Sequence, residues 1–236
     1  MTLQDEIIST VSHEMRTPLT SIRGFSQTLL GSWDKLDDDN KKKFIKIIEE
    51  QSNRLINLVE NILTVSKENS EQLILKKVDI NSGIERIIPL FTNKYKTHHF
   101  VFNRDKNELF ANLDEDKFQQ IITNIIDNAG KYSEDNTTIT ISTELREDYI
   151  YIKISDEGVG IKEEDFDKLF KKFSRIENHL TSKTQGNGLG LYITKTLVEK
   201  MGGQISVSSR VNQGTEFQIK FNVYNPEEAL KCSRKS

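Results

Sequence analysis

The sequence predicts an α+β protein in two parts: an N-terminal helical hairpin that forms a dimeric four-helix bundle, then an α/β sandwich with a mainly antiparallel sheet. Three observations carry this. Two stretches in the first third repeat apolar residues at alternating spacings of three and four. Near residue 70 the pattern changes to β-branched and apolar alternation. Beyond it, helical segments share the chain with strand segments that follow one another across short turns.

The hairpin is written in two seams. Ile8, Val11, Met15, Pro18, Ile22, Phe25 and Leu29 follow a heptad a/d rhythm, and Phe44, Ile48, Gln51, Leu55, Leu58, Ile62 and Val65 repeat it. Between them, "GSWDKLDDDN" holds the glycine and the Asp/Asn cluster that stop one helix and cap the next. Each helix should run for about 40 Å at 1.5 Å rise per residue. Two such helices cannot fully bury their stripes against each other alone, so pairing of two hairpins, and hence a homodimer, is expected. The plainer alternative packs the hairpin on the downstream domain of its own chain. Residues 1–68 are assigned to this hairpin.

Residues 72–224 form the second part. Its helices are expected at "NSGIERIIPLFTNKY", "DEDKFQQIITNIIDNAGKY" and "GLGLYITKTLVEKMG", its strands at "TTITISTEL", "YIYIKISDEG", "GQISVSSR" and "GTEFQIKFNV". Turns such as "REDY" and "VNQG" predict antiparallel pairing, with the helices on one face. Residues 225–236 read as a short polar tail.

At 35% hydrophobic and 29% charged residues, the composition suits a soluble protein with a real core. A net charge of -3, with both signs interspersed, gives no polyanion footprint, so nucleic acid is not expected as a partner. The one cysteine, Cys232, excludes an intrachain disulfide framework and suits a reducing compartment. No apolar run approaches the roughly 20 residues of a membrane-spanning helix, and the start shows no signal-peptide pattern. A cytoplasmic location is expected.

The chemistry begins at "TVSHEMRTPLTS". With Ile8 at a and Val11 at d, His13 falls at f, facing away from the seam, which counts against a packed core histidine. A zinc H-E-x-x-H site fails because the fifth position is Thr17. What remains is an exposed imidazole, the adjacent carboxylate of Glu14 and the Thr17 hydroxyl one turn along. An imidazole can attack an electrophilic phosphorus while a neighbouring carboxylate holds or removes the other ring proton. Pro18 deletes one backbone hydrogen bond and should bend the helix past His13. An ordinary surface histidine is the plainer reading of the geometry.

Three downstream motifs could supply the electrophile. "NIIDNAGKY" sets Asn124, Asn128 and Lys131 along one helical face, beside the packing stripe of Ile121, Ile122, Ile125 and Ile126. Amide oxygens suit a hard cation such as Mg²⁺, and a lysine suits phosphate; a solvated polar face is the bland alternative. "DEGVGI" ends a strand with Asp156, Gly158 and Gly160, a carboxylate able to accept from an exocyclic amine beside glycines that let a flat ligand approach. "GNGLGL" places Gly186, Gly188 and Gly190 where a helix begins, an anion site of neither Walker A nor dinucleotide spacing. Each is weak singly; their order is specific.

Together these segments resemble the catalytic core of HisKA-type sensor histidine kinases of two-component systems over nearly the whole chain. "SHEMRTPL" is similar to the H box, "NIIDNAGKY" to the N box, "DEGVGI" and "GNGLGL" to the two glycine boxes, and "LFKKFSRI" to the phenylalanine box. The resemblance implies a dimerisation and phosphotransfer hairpin followed by a Bergerat-type ATP-binding domain, with ATP and Mg²⁺ as its ligands. It implies His13 as phosphoacceptor, Glu14 as its general base, and Thr17 for the reverse, phosphatase reaction on a partner. Asn128 would ligate Mg²⁺ with support from Asn124. Lys131 would contact phosphate, Tyr132 border the nucleotide, and Asp156 read the adenine amino group, with Gly158, Gly160 and Ile161 beside it. Residues 161–185 would be the ATP lid, anchored by Phe170 and Phe173, with Arg175 toward the γ-phosphate. Gly186, Gly188, Leu189, Gly190 and Leu191 would complete the site. The implied partner is a response-regulator receiver domain.

Three departures stand out. Gly130 replaces the usual aliphatic residue, which should loosen that helix end. Asn187 stands where Thr or Ser is usual, which should alter a phosphate contact. Residues 1–12 contain no sensor segment, so a separate sensor, or a membrane-anchored sensor of which this is the cytoplasmic part, is expected. The rival readings are an ATP-hydrolysing Bergerat relative and a catalytically degenerate dimeric scaffold. Hydrolysing relatives carry a water-activating glutamate where this chain has Asn124, and an amide cannot take a proton at neutral pH. A serine/threonine kinase is disfavoured further, because neither its lysine strand motif nor its D-F-G is present.

Overall fold

The structure, a computed structural model, describes residues 3–66, 72–176 and 188–226. Contacts divide the chain into two units, Met1–Asn69 and Ser70–Ser236. In the first, α1 (Leu3–Ser32) and α2 (Asp38–Ser66) run antiparallel, with Phe25 against Phe44 near the turn and Glu14 against Arg54 farther along. Of the seam residues from Val11 to Val65, none is exposed, and Pro18, Leu29 and Leu58 are buried. Helix α1 continues through Pro18. It stops at a 3-10 turn, Trp33–Lys35, and Asp37 then caps α2 by accepting from the Asn40 amide at 2.7 Å.

The second unit holds β1 (Lys76–Asp79), α3 (Ile80–Lys94), β2 (His99–Asn103), β3 (Phe110–Leu113), α4 (Glu115–Lys131), β4 (Thr138–Arg146), β5 (Tyr149–Asp156), α5 (Phe166–Leu169), α6 (Gly190–Lys200), β6 (Gln204–Arg210) and β7 (Gly214–Asn222). The main sheet has the order β2-β4-β5-β7-β6, and β1 pairs with β3 apart from it. Every pairing is antiparallel except β2 with β4.

Alternation decides which face is covered. Ile139 and Ile141, Ile150, Ile152 and Ile154, and Phe217, Ile219 and Phe221 are all buried. They meet the apolar stripes of α3, α4 and α6, in which Ile84, Ile121, Ile122, Ile125 and Ile126 are wholly inaccessible and Ile193 and Leu197 nearly so. Asp79 and Asp114 cap α3 and α4 by accepting from the Ser82 and Lys117 amides. The Asp114 cap fixes where α4 starts, and so which of its residues reach its last turns, where Asn124, Asn128 and Lys131 stand.

Candidate active site

On the hairpin, His13 and Thr17 are both exposed on α1, four residues apart and therefore on one face. Glu14 turns about 100° from His13 around the helix toward α2, where its carboxylate pairs with the Arg54 guanidinium at 3.0 Å. Histidine, carboxylate and hydroxyl thus lie together, with the carboxylate anchored by the second helix.

In the second unit, α4 presents Asn124, Asn128 and Lys131, all part-exposed, beside its buried isoleucines. The Asn124 side-chain amide donates to the Thr194 hydroxyl of α6 at 2.7 Å. A Cβ on Gly190, the first residue of α6, would overlap Asn124 Oδ1, so a side chain there would displace the Asn124 amide from its present position. Lys131 pairs with Asp127 one turn before it. Helix α4 runs to Lys131 through a buried Gly130, and the Tyr132 amide closes the turn on the Asn128 carbonyl at 3.0 Å. At Gly130, the position where the sequence suggests a looser helix end, the Tyr95 ring occupies the space its missing side chain leaves.

The loop after β5 is held from two sides. The Val159 amide donates to the Tyr132 carbonyl, and a Cβ on Gly158 would overlap that same oxygen. Gly160 has φ +67 and lies against the Arg210 carbonyl, where no side chain fits. The Ile161 amide donates to the Ser209 hydroxyl at 2.8 Å. Asp156 Oδ1 accepts from the Gly158 amide at 2.9 Å and the Thr215 amide at 3.2 Å. Burial outweighs these two donors and pushes its carboxyl up to about 6.

The first part of the expected lid is a 3-10 turn, Glu163–Asp165, then α5 and the "FKKF" segment. Phe170 lies under Lys195 of α6 at 5.5 Å, and Lys172 lies over Tyr192 at 4.6 Å. Phe173 takes φ +59, and its backbone with that of Ser174 abuts Gly188. Arg175 is exposed, Leu189 buried and Leu191 part-exposed. Gly186, Asn187 and residues 177–185 lie outside the described residues.

The residues fit a nucleotide with Mg²⁺: a mostly buried carboxylate, a backbone cradle that added side chains would fill, and an amide-and-ammonium row on α4. Among the described residues no cluster of three or more His, Cys, Asp or Glu exists to hold a metal. A cation here would rest on Asn128 and on oxygens of the nucleotide and water, which suits Mg²⁺. Sequence reasoning missed Arg54, Thr194, Ser209, Thr215 and Tyr95. Only Asp127 left a trace, its i,i+4 spacing to Lys131.

Comparison with known proteins matches both parts. Residues 3–71 match the His Kinase A (phospho-acceptor) domain, and residues 113–225 match the histidine kinase-, DNA gyrase B-, and HSP90-like ATPase domain. The signal transduction histidine-protein kinase ArlS of Staphylococcus haemolyticus is 36% identical over 220 residues, covering 92% of this chain and 48% of ArlS. The chain therefore spans about half that relative's length. The histidine kinase ThkA, solved in complex with the response regulator protein TrrA, gives a TM-score of 0.71 at 26% identity, covering 94% of this chain and 62% of that one. Full-length ShkA in complex with AMPPNP gives 0.68 at 25% identity, covering 93% and 46%.

Proposed function

This chain belongs to the HisKA-type sensor histidine kinases, and from that premise we propose that it moves the γ-phosphoryl group of ATP to His13 and then to an aspartate of a response-regulator receiver domain. The observation that carries the reading is the exposed His13 with Glu14 and Thr17 around it, on a chain that also holds the Asp156 and glycine cradle. ShkA bound to AMPPNP supports ATP as the donor, and ThkA bound to TrrA supports a regulator as the acceptor.

In the first step an unprotonated ring nitrogen of His13 attacks the γ-phosphorus. The N–P bond forms, the bond from phosphorus to the bridging oxygen breaks with its electron pair, and ADP leaves. The proton on the other ring nitrogen is held, then taken, by Glu14. Such transfer depends on positioning and charge stabilisation more than on covalent help from the protein. Asn128 would hold Mg²⁺, which neutralises phosphate charge, with Asn124 in support, and Lys131 and Arg175 would add cations toward the phosphates. Asp156 accepts the adenine amine, with Tyr132 at its border. The glycines 158, 160, 188 and 190 would keep the Ile161 and Leu191 backbones close to the nucleotide, over the buried Leu189, and Phe173 would anchor the lid. In the second step the receiver's carboxylate displaces His13 from phosphorus. Thr17 would orient a water for the opposing phosphatase reaction, in which that water attacks the regulator's aspartyl phosphate and releases phosphate.

The working form is a homodimer. The hairpin seams are covered, yet Leu19 stays 53% exposed, Leu30 85% and Ile56 54%, with Val59 and Leu63 continuing the stripe of Ile56 along α2. A second hairpin would bury these side chains. Among the described residues no helix is long and apolar enough to cross a membrane.

Incubation with γ-labelled ATP and Mg²⁺ tests the reading. Protein-bound label that survives alkali, is lost in acid and is absent from His13→Gln is expected. Label on His13→Gln at the wild-type level refutes it. Asn128→Asp should weaken Mg·ATP binding by about tenfold, since it replaces a neutral ligand beside the polyphosphate with a charged one; unchanged affinity by calorimetry removes Asn128 from the site.

A further inference from the structure

Gly130 leaves a gap on the packed side of α4, and the ring of Tyr95, just past the end of α3, fills it. A Cβ built on Gly130 would lie 2.7 to 2.9 Å from three ring carbons of Tyr95. The ring is stacked on Phe91 at 6.3 Å and meets the edge of His98 at 5.5 Å. This posture gives its hydroxyl one main target. It donates to Asp127 Oδ1 at 2.8 Å, with the Asp127 carbonyl at 3.3 Å.

Asp127 is where the contacts converge. Lys94 reaches the same carboxylate oxygen as Tyr95, and Lys131 pairs with the other. Although burial works against ionisation, the Lys131 and Lys94 ammoniums hold this carboxyl below its usual range. Burial first, and the Asp127 charge second, keep the proton on Tyr95, so the phenol is able to donate it to that carboxylate. One carboxylate with two ammoniums leaves the group net positive, so Lys131 is held in place without being fully neutralised.

We propose that Tyr95 is a positioning residue of the nucleotide site: its hydroxyl fixes the Asp127 carboxylate, which presents the Lys131 ammonium to the phosphates of the bound nucleotide. Lysine has a flexible four-carbon stem, and ordering it before the ligand arrives raises affinity. Gly130 belongs to the same device, because a side chain there would drive the ring away and the hydroxyl with it. The inference rests on the reading of Lys131 as a phosphate contact.

The test is a double-mutant cycle on the full 236-residue chain, read as Mg·AMPPNP affinity by calorimetry. Tyr95→Phe keeps the ring in its gap and removes only the hydroxyl, so the chain still folds. It should weaken binding by about fivefold, less than the tenfold or more of a direct hydrogen bond to a charged group, because the hydroxyl acts on Lys131 through Asp127. Lys131→Met should weaken it further, and Tyr95→Phe in the Lys131→Met background should add nothing. A purely structural tyrosine would weaken both backgrounds alike, and that result overturns the proposal. So does wild-type affinity in Tyr95→Phe. A Lys131→Met chain that binds like wild type marks a different failure, that of the phosphate role of Lys131, and removes the basis of the inference.

Discussion

The histidine face of α1 and the nucleotide cradle are built in opposite ways. His13 and Thr17 need only a regular helix to stand together, and both side chains point into solvent. The cradle needs segments distant in sequence to touch through their backbones, Gly158 against Tyr132 and Gly160 against Arg210, with Gly190 close against the Asn124 side chain. Chemistry should therefore be separable from folding on α1 and inseparable from it in the cradle.

The largest expected effect tests that difference directly. Gly158→Ala places a methyl group onto the Tyr132 carbonyl oxygen, which itself accepts the Val159 amide. Backbone cannot move aside as a side-chain tip can, so the second unit should lose roughly 3 kcal/mol or more and nucleotide binding with it. His13→Gln, by contrast, changes an exposed side chain and should shift stability by less than about 0.5 kcal/mol. Denaturant unfolding of both chains, followed with AMPPNP titration, checks the pair. Equal stability in the two variants would break the contrast.

Asp156 sharpens it, because one mostly buried group sets two opposite pH trends. Its carboxyl is raised to about 6 in the folded unit, against an ordinary value near 4 in the unfolded chain. The folded state thus binds the proton more tightly. The stability this group contributes is fully present below about pH 4 and is lost as pH rises through about 6. Adenine recognition needs the ionised acceptor, so nucleotide affinity should fall as pH drops through about 6, by several-fold between about pH 7 and pH 5. Titrations of AMPPNP across that range should show the decline, and Asp156→Asn should flatten it. A decline that persists in Asp156→Asn assigns it to another group.

The same contrast governs what was legible in the sequence. The seams from Val11 to Leu29 and from Phe44 to Val65 could be read from spacing alone, because helical periodicity is a local signal. The strands of the β4–β5 and β6–β7 hairpins were legible through their alternation and short turns. Strand β2 was not: "HFVFN" carries a histidine and an asparagine, and its parallel partner β4 lies beyond the intervening α4. The glycine boxes were visible as glycines, but not the carbonyls of Tyr132 and Arg210 that require them. Gly130 was read as a weak point because its filler, Tyr95, stands 35 residues earlier. Thr194 gave no signal at all, since a threonine inside an amphipathic helix is ordinary.

The smallest expected effect lies back on the hairpin, where the contrast is least clean, because Glu14 alone of the three α1 residues is tied to another helix. Its carboxylate pairs with Arg54 at 3.0 Å, with side chains 21% and 23% exposed. At that exposure a single ion pair is worth about 1 kcal/mol or less. Its consequence is orientation: an unanchored Glu14 would sample rotamers in which neither oxygen can hold the imidazole proton. Arg54→Gln should therefore slow autophosphorylation of His13 by about three- to fivefold and leave AMPPNP affinity unchanged. Arg54→Lys keeps the charge but loses the planar fork, and should recover part of the rate. An unaltered rate in Arg54→Gln would show that Glu14 needs no anchor, and the histidine face would then depend on α1 alone.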